Sequence, residues 1–258
     1  MIKIFFMKAI KFILTALFAG LPALLVAQTG VQEVMQGRGN FLFNASDASF
    51  SRDIVRFKAD NQETGLPADG IDYDKIKGSP FWADASILAR LYSSHGYLTT
   101  LPVRINLATN KIYFLKDSVE MVLNDNIINR IVFMTGKDSA VFIGEVPDLI
   151  LNNKPLNDFV QVLNAGKYQL LKYTRRRVSS SESASRTSIN YYFSDDVNYF
   201  IKSNERVEEI KRLTRDNLLI YLPSSLSYDG WIKENNINFK NEKDVVRFMD
   251  QYNTRLSN

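Results

Sequence analysis

The stretch KYTRRRVSSSESASRTSINYYF, residues 172–193, sets three consecutive arginines ahead of a serine-rich run and a tyrosine-rich run. Guanidinium groups recognise phosphate and carboxylate through forked hydrogen bonds. Lys172, Arg175, Arg176, Arg177 and Arg186 therefore form a candidate anion-binding patch, opposed locally only by Glu182. The competing reading is a solvated tip whose charges discourage edge pairing. On either reading, replacing all three arginines is expected to leave folding intact. Tyr191, Tyr192 and Tyr199 form a second candidate. If one face of their strands is open, they make a stacking platform for sugars or a partner chain. If both faces are covered, they are core.

Other residue types narrow the chemistry. The chain has no cysteine and one histidine, His95. Thiolate metal sites, cysteine nucleophiles and multi-histidine zinc sites are thereby excluded. His95 followed by Gly96 reads as a turn between strands. Ser79 lacks a nucleophile-elbow context and is followed by Pro80; KGSPFW reads instead as a turn presenting Phe81 and Trp82 for packing. Arg104 and Asn106 share one strand face and are read as a pair satisfying backbone groups. Glycoside hydrolysis needs two carboxyls facing each other across a gap. The adjacent pairs Asp195 with Asp196 and Glu208 with Glu209 do not suit it. DGIDYD, residues 69–74, lacks the ligand order of a calcium loop. No phosphate-binding glycine loop is present, and no cofactor or metal is expected.

The elements that position these residues are mostly strands. ILARLYSS (87–94), YLTTLPVRIN (97–106), KIYFLK (111–116), VEMVLN (119–124), RIVFMT (130–135) and AVFIGE (140–145) are rich in β-branched and aromatic residues. The short gaps LATN and DS call for antiparallel neighbours. FVQVLN (159–164) and KYQLLKYTRR (167–176) follow, hinged at Ala165 and Gly166. SINYYF (188–193) and VNYFIK (197–202) are expected as a hairpin turning at Ser194, Asp195 and Asp196, with residues 179–187 a serine-rich loop. RVEEIK is a short final strand. Then the period changes. TRDNLLIYL (214–222) and SYDGWIKENN (227–236) read as short helices. In NEKDVVRFMDQYNTRL, Asn241 is an N-cap candidate, and Val245, Phe248, Met249 and Tyr252 mark one helical face.

Residues 1–27 carry Lys3, Lys8 and Lys11, no acid, an apolar run and a closing small residue, Ala27. This is the pattern of a cleaved signal peptide, and no later segment is apolar enough to span a bilayer. Without the leader, 29 basic residues face 28 acidic ones. A sustained basic surface for nucleic acid is therefore not expected. Residues 28–76 read as a partly irregular extension with extended candidates at NFLF (40–43) and DIVRFK (53–58). The β unit is placed at 77–212 and the helices at 213–258. The fold class is α+β, mainly β: an antiparallel meander, as a sandwich or strongly curved sheet, with two to three C-terminal helices.

KGSPFW (77–82), LPVRIN (101–106), NKIYF (110–114), the tyrosine-rich strands and NFKNEKDVVRFMDQYN (238–253), taken in order, resemble a group of uncharacterised exported proteins of Gram-negative bacteria. The resemblance covers about residues 71–258 and brings no catalytic residues. It implies a β-rich envelope protein of unknown function; with the leader pattern the expected place is periplasmic, outer-membrane-associated or extracellular, and the lack of cysteine excludes a lipoprotein. A non-enzymatic binding or structural module for an envelope protein or polymer is the expected function. The alternative is a hydrolase or modifying enzyme for envelope glycans or peptides, with a pocket near His95 or Arg104.

Overall fold

The computed structural model describes residues 55–58 and 76–256, apart from 124, 137, 183–188, 205 and 224–227. The expected leader (1–27), NFLF, DGIDYD and Arg186 lie outside the described residues.

Alternation of apolar and polar side chains builds the first strands. In β3 (Ile87–Ser93) and β4 (Gly96–Asn106), Ala89, Leu91, Thr99, Leu101, Val103 and Ile105 are buried at every second position. β5 (Lys111–Lys116) and β6 (Val119–Leu123) join through Asp117 and Ser118, both at positive φ, the conformation a two-residue hairpin turn requires. β1 (Val55–Lys58), within the DIVRFK candidate, pairs with β6. The chain then crosses back to lay β7 (Arg130–Thr135) on the free side of β3, followed by β8 (Asp138–Ile143). The segment PDLILNNKP contains a small separate hairpin, β9 (Ile150–Leu151) with β10 (Lys154–Pro155). β11 (Val160–Val162), β12 (Gln169–Glu182), β13 (Ile189–Lys202) and β14 (Val207–Ile210) complete the main sheet. Its order is β1-β6-β5-β4-β3-β7-β8-β11-β12-β13-β14. Neighbours are antiparallel except that β2 (Ile76–Lys77) runs parallel to β13.

Two expectations are corrected here. SINYYF and VNYFIK are not a hairpin: β13 runs straight through Ser194, Asp195 and Asp196. Residues 179–182, expected in a loop, belong to β12. The cause is pairing. Fourteen consecutive residues of each strand face one another without a register shift, which places Ser194 to Asp196 directly opposite Arg177 to Arg175. Ladder hydrogen bonds and cross-strand charge pairs outweigh the local turn preference of a Ser-Asp-Asp sequence.

The helices are α1 (Arg215–Leu219), α2 (Asp229–Glu234) and α3 (Glu242–Leu256). Thr214 caps α1 by accepting from the Asn217 N–H. Asn241 caps α3, its Oδ1 accepting from the Lys243 N–H at 2.9 Å. The stripe Val245, Phe248, Met249 and Tyr252 is buried as expected. It packs on Leu170 of β12, Ile201 of β13 and Ile210 of β14. The other face of the same strands presents Leu171, Tyr173 and Phe200 to Val146, Leu149 and Val160. The β12 end of the sheet is thus covered on both sides.

Candidate functional site

The KGSPFW segment acts as a strap. Ile76 and Lys77 pair with Tyr191 and Tyr192 of β13. The chain then turns at Gly78, φ +92°, where a side chain would be strained. Ser79 Oγ accepts from the Phe81 N–H, so the serine hydroxyl shapes the turn. Phe81 bridges to Asn106, Trp82 N–H donates to the Ile105 carbonyl, and Leu107 N–H donates to the Pro80 carbonyl. The strap therefore connects β13 to β4. Phe81 packs edge-on against Tyr113, and Trp82 packs on Phe133 and Phe142. The expected packing role of Phe81 and Trp82 is found.

Arg176 holds this closure. Its Nη1 donates to the carbonyls of Ser79 and Phe81, each at 2.7 Å. Its Nε and Nη2 grip both carboxylate oxygens of Asp195 at 2.6 and 3.1 Å. Its backbone N–H reaches the Leu107 carbonyl at 3.0 Å. β4 and β12 have four strands between them in the sheet order, yet this bond brings them together without closing a barrel. The central arginine of the run is thus a clasp between three segments rather than part of a solvated tip.

The remaining patch residues do not converge. Side chains alternate across a strand, so Lys172 and Arg176 share one face while Arg175 and Arg177 share the other. Lys172 Nζ pairs with Glu242 of α3 at 2.8 Å. Arg177 pairs with Asp196 at 3.1 Å, with both side chains more than half exposed. Arg175 is exposed, opposite Asp196 in the ladder. Among the described residues its side chain makes no hydrogen bond or ion pair. The outer face of the ribbon therefore carries Arg175, Arg177 and, beside Tyr192, Lys77, with Asp196 as counter-charge.

The tyrosines divide likewise. Tyr199 donates to Glu242 Oε2 at 2.6 Å under the helices. Burial first, and then the accepting Glu242 carboxylate, push its phenol well above the ordinary tyrosine range. It is no open platform. Tyr173, on the opposite face, donates to Asp158 Oδ2 at 2.6 Å and is raised by burial and by that carboxylate. Tyr191 is half-buried beside Ile76, and Tyr192 remains 38% exposed on the outer face.

The other candidates are structural or superficial. Asn106 is buried, and its Oδ1 accepts from the N–H groups of Ala108 and Thr109. Arg104 lies over the Phe81 ring at 3.8 Å and bonds to Glu120 and the Asp84 carbonyl. Both match the reading of a pair that satisfies neighbouring groups. His95 is exposed at the β3–β4 turn, its Nδ1 3.2 Å from Ser94 Oγ.

Sequence reasoning missed Asn253 and the role of Asp195. Asn253 is buried next to Tyr252 and binds the backbone of Ala165 and Tyr168 at the hinge before β12. An amide on the apolar flank of an amphipathic stripe was the available signal. For Asp195, the signal was mirror symmetry: Arg175 with Asp196 and Arg176 with Asp195 stand equidistant from the midpoint between the two strands.

The fold defines a mainly β, α+β protein built on one large mixed sheet that does not close into a barrel. No protein-family model, curated protein or solved structure matches the chain. Among the described residues, no helix is long and apolar enough to cross a membrane.

Proposed function

We propose that this chain is an exported module of the cell envelope that binds a protein or polymer partner without catalysing a reaction, and that the far half of the β12–β13 ribbon is its contact surface. The leader-like residues 1–27 and the ordered resemblance to exported proteins support the location. One observation carries the site. Residues 177–182 of β12 have β13 on one side and, among the described residues, no strand on the other. At Leu171 and Lys172, by contrast, β12 is held between β11 and β13, and Leu170 beside them is covered by the helices. Exposed Tyr192, Arg175 and Arg177 lie on the same projecting part.

In-cell crosslinking tests the reading. A photoreactive residue at Tyr192 is expected to capture a macromolecule, while one at Arg212, away from the ribbon, captures none. Recovery of equal adducts from Tyr192 and Arg212, or of none from either Tyr192 or the neighbouring Ser180, rejects it.

A further inference from the structure

We infer that the free edge of β12, residues 177–182, takes up an extended, acidic segment of a partner protein as an added strand. This rests on the binding-module reading and specifies how the partner docks and what its chemistry is.

Backbone direction is the first support. The Arg176 N–H reaches Leu107, and the Leu170 carbonyl accepts from the Leu163 N–H. Both even-numbered residues thus turn their backbone groups away from β13. The β12–β13 ladder has no register shift, and strand backbone alternates with period two. The N–H and C=O groups of Val178, Ser180 and Glu182 therefore point outward along the same edge. Among the described residues these groups have no strand partner. A partner strand that pairs with them gains main-chain hydrogen bonds, the mode in which an extended peptide adds to a sheet.

Accessibility is the second support. Natural sheets blunt exposed edges with proline, bulges or charged side chains, and here the charges, Arg177 and Glu182, stand only at the two ends of the segment. Residues 177–182 contain no proline and no bulge, and Ser180, Ser181 and Glu182 are exposed with short or flexible side chains.

Charge selects the occupant. Beside the edge, the outer face carries Arg175 and Arg177, with Lys77 across the ribbon and Asp196 as the opposing charge. Every second residue of an added strand would stand on this face, where carboxylates are favoured. The alternate residues would lie beside Val178 and Phe193 on the other face, where apolar side chains fit. The occupant is accordingly a segment alternating acidic and apolar residues. A second copy of this edge fits less well, because residues 177–182 offer Glu182 as their only carboxylate.

The test uses the full chain and a labelled peptide of about eight residues, alternating valine and glutamate, against a valine–lysine counterpart. The glutamate peptide is expected to bind at least about ten-fold tighter and to slow amide exchange at Val178, Ser180 and Glu182. Ser180→Pro removes an outward N–H while leaving the bonds to β13, and should weaken binding about ten-fold or more with an unchanged unfolding midpoint. If that variant folds poorly, Arg177→Glu serves instead and should shift preference toward the lysine peptide. Equal binding of both peptides, binding without protection of the three amides, or indifference to both substitutions overturns the inference. In cells, photoreactive residues at Ser180 and Tyr192 separate the two claims. Protein adducts from Ser180 support strand addition. Adducts from Tyr192 alone, or a glycan or lipid captured at Ser180, reject it and leave the binding-module reading standing. Silence at both positions rejects both.

Discussion

The two halves of the β12–β13 ribbon share one uninterrupted ladder and differ in almost everything else. In the near half, Leu170 and Ile201 lie under the helices, while Leu171, Tyr173 and Phe200 face Val146 and Leu149. Its polar side chains are engaged by neighbouring elements, Lys172 and Tyr199 by Glu242 and Tyr173 by Asp158. In the far half, residues 180–182 are exposed, and Arg177 and Asp196 meet in solvent. Backbone pairing alone therefore does not decide burial here. What decides it is which elements return to cover each half, and the Arg176 clasp sits near the boundary between them.

Truncation in the near half should cost most. Phe248, fully buried against Tyr228, Phe239 and Tyr252, leaves a large cavity as Phe248→Ala. We expect a loss of about 3–5 kcal/mol, measured by chemical unfolding. A loss below about 1 kcal/mol would show that the helices contribute little to the difference between the halves.

Gly166→Ala should follow. Gly166 sits at φ +116°, and a Cβ there would approach the Asn253 side chain to 2.5 Å. Strain at the backbone and displacement of an amide that binds Tyr168 should together cost about 2–3 kcal/mol. An unchanged melting temperature would refute the role given to Asn253.

Arg176→Gln strands the carbonyls of Ser79 and Phe81 and one carboxylate, for about 1–2 kcal/mol. Amide exchange should quicken at Trp82 and Leu107, whose N–H groups bond across the strap. Exchange rates like those of the wild type would mean that the strap holds without its clasp.

Alkaline titration separates the halves by chemistry. The phenols of Tyr173 and Tyr199 are raised above their unfolded value by burial and by their carboxylate acceptors. A group shifted this way contributes stability that is fully present below the unfolded tyrosine value of about 10 and is lost as pH climbs through the raised value. Phenolate absorbance should therefore omit both residues until the protein unfolds, and Tyr173→Phe or Tyr199→Phe should leave the first phase of the titration unchanged. A smaller first phase in either variant would contradict this.

The smallest effect belongs to Arg177→Gln, within about 0.5 kcal/mol, because its pair with Asp196 is solvated. A cost equal to that of Arg176→Gln would erase the distinction drawn between adjacent arginines.

Much of the sheet was legible because it is local. β5 and β7 fall at the expected residues, since β-branched runs punctuated by turn residues report strands directly. The α3 stripe was equally clear from its 3.6-residue period. The far ribbon was not. A turn at Ser194, Asp195 and Asp196 is the better local choice, and only pairing with β12 along its whole length, the arginines included, converts it to strand. The candidate site was half legible. Consecutive arginines mark a charged region in any sequence, but three residues in a row on one strand must split between two faces.

From the amino-acid order alone came the β-rich class, the short helices at the end, the absence of thiol chemistry, the near-neutral charge of residues 28–258 and the leader-like pattern of residues 1–27. These follow from composition and from periodicities of two and 3.6 residues, which are properties of the local chain. Tertiary structure decided the rest. It made Arg176 a clasp and left Arg177 in water, turned Lys172 and Tyr199 toward Glu242, and left the far edge of β12 without a strand neighbour among the described residues. The physical reason is that burial and hydrogen bonding of a side chain depend on what packs against it, and those partners lie far away along the chain: Ser79 is bound by Arg176, and Glu242 by Lys172.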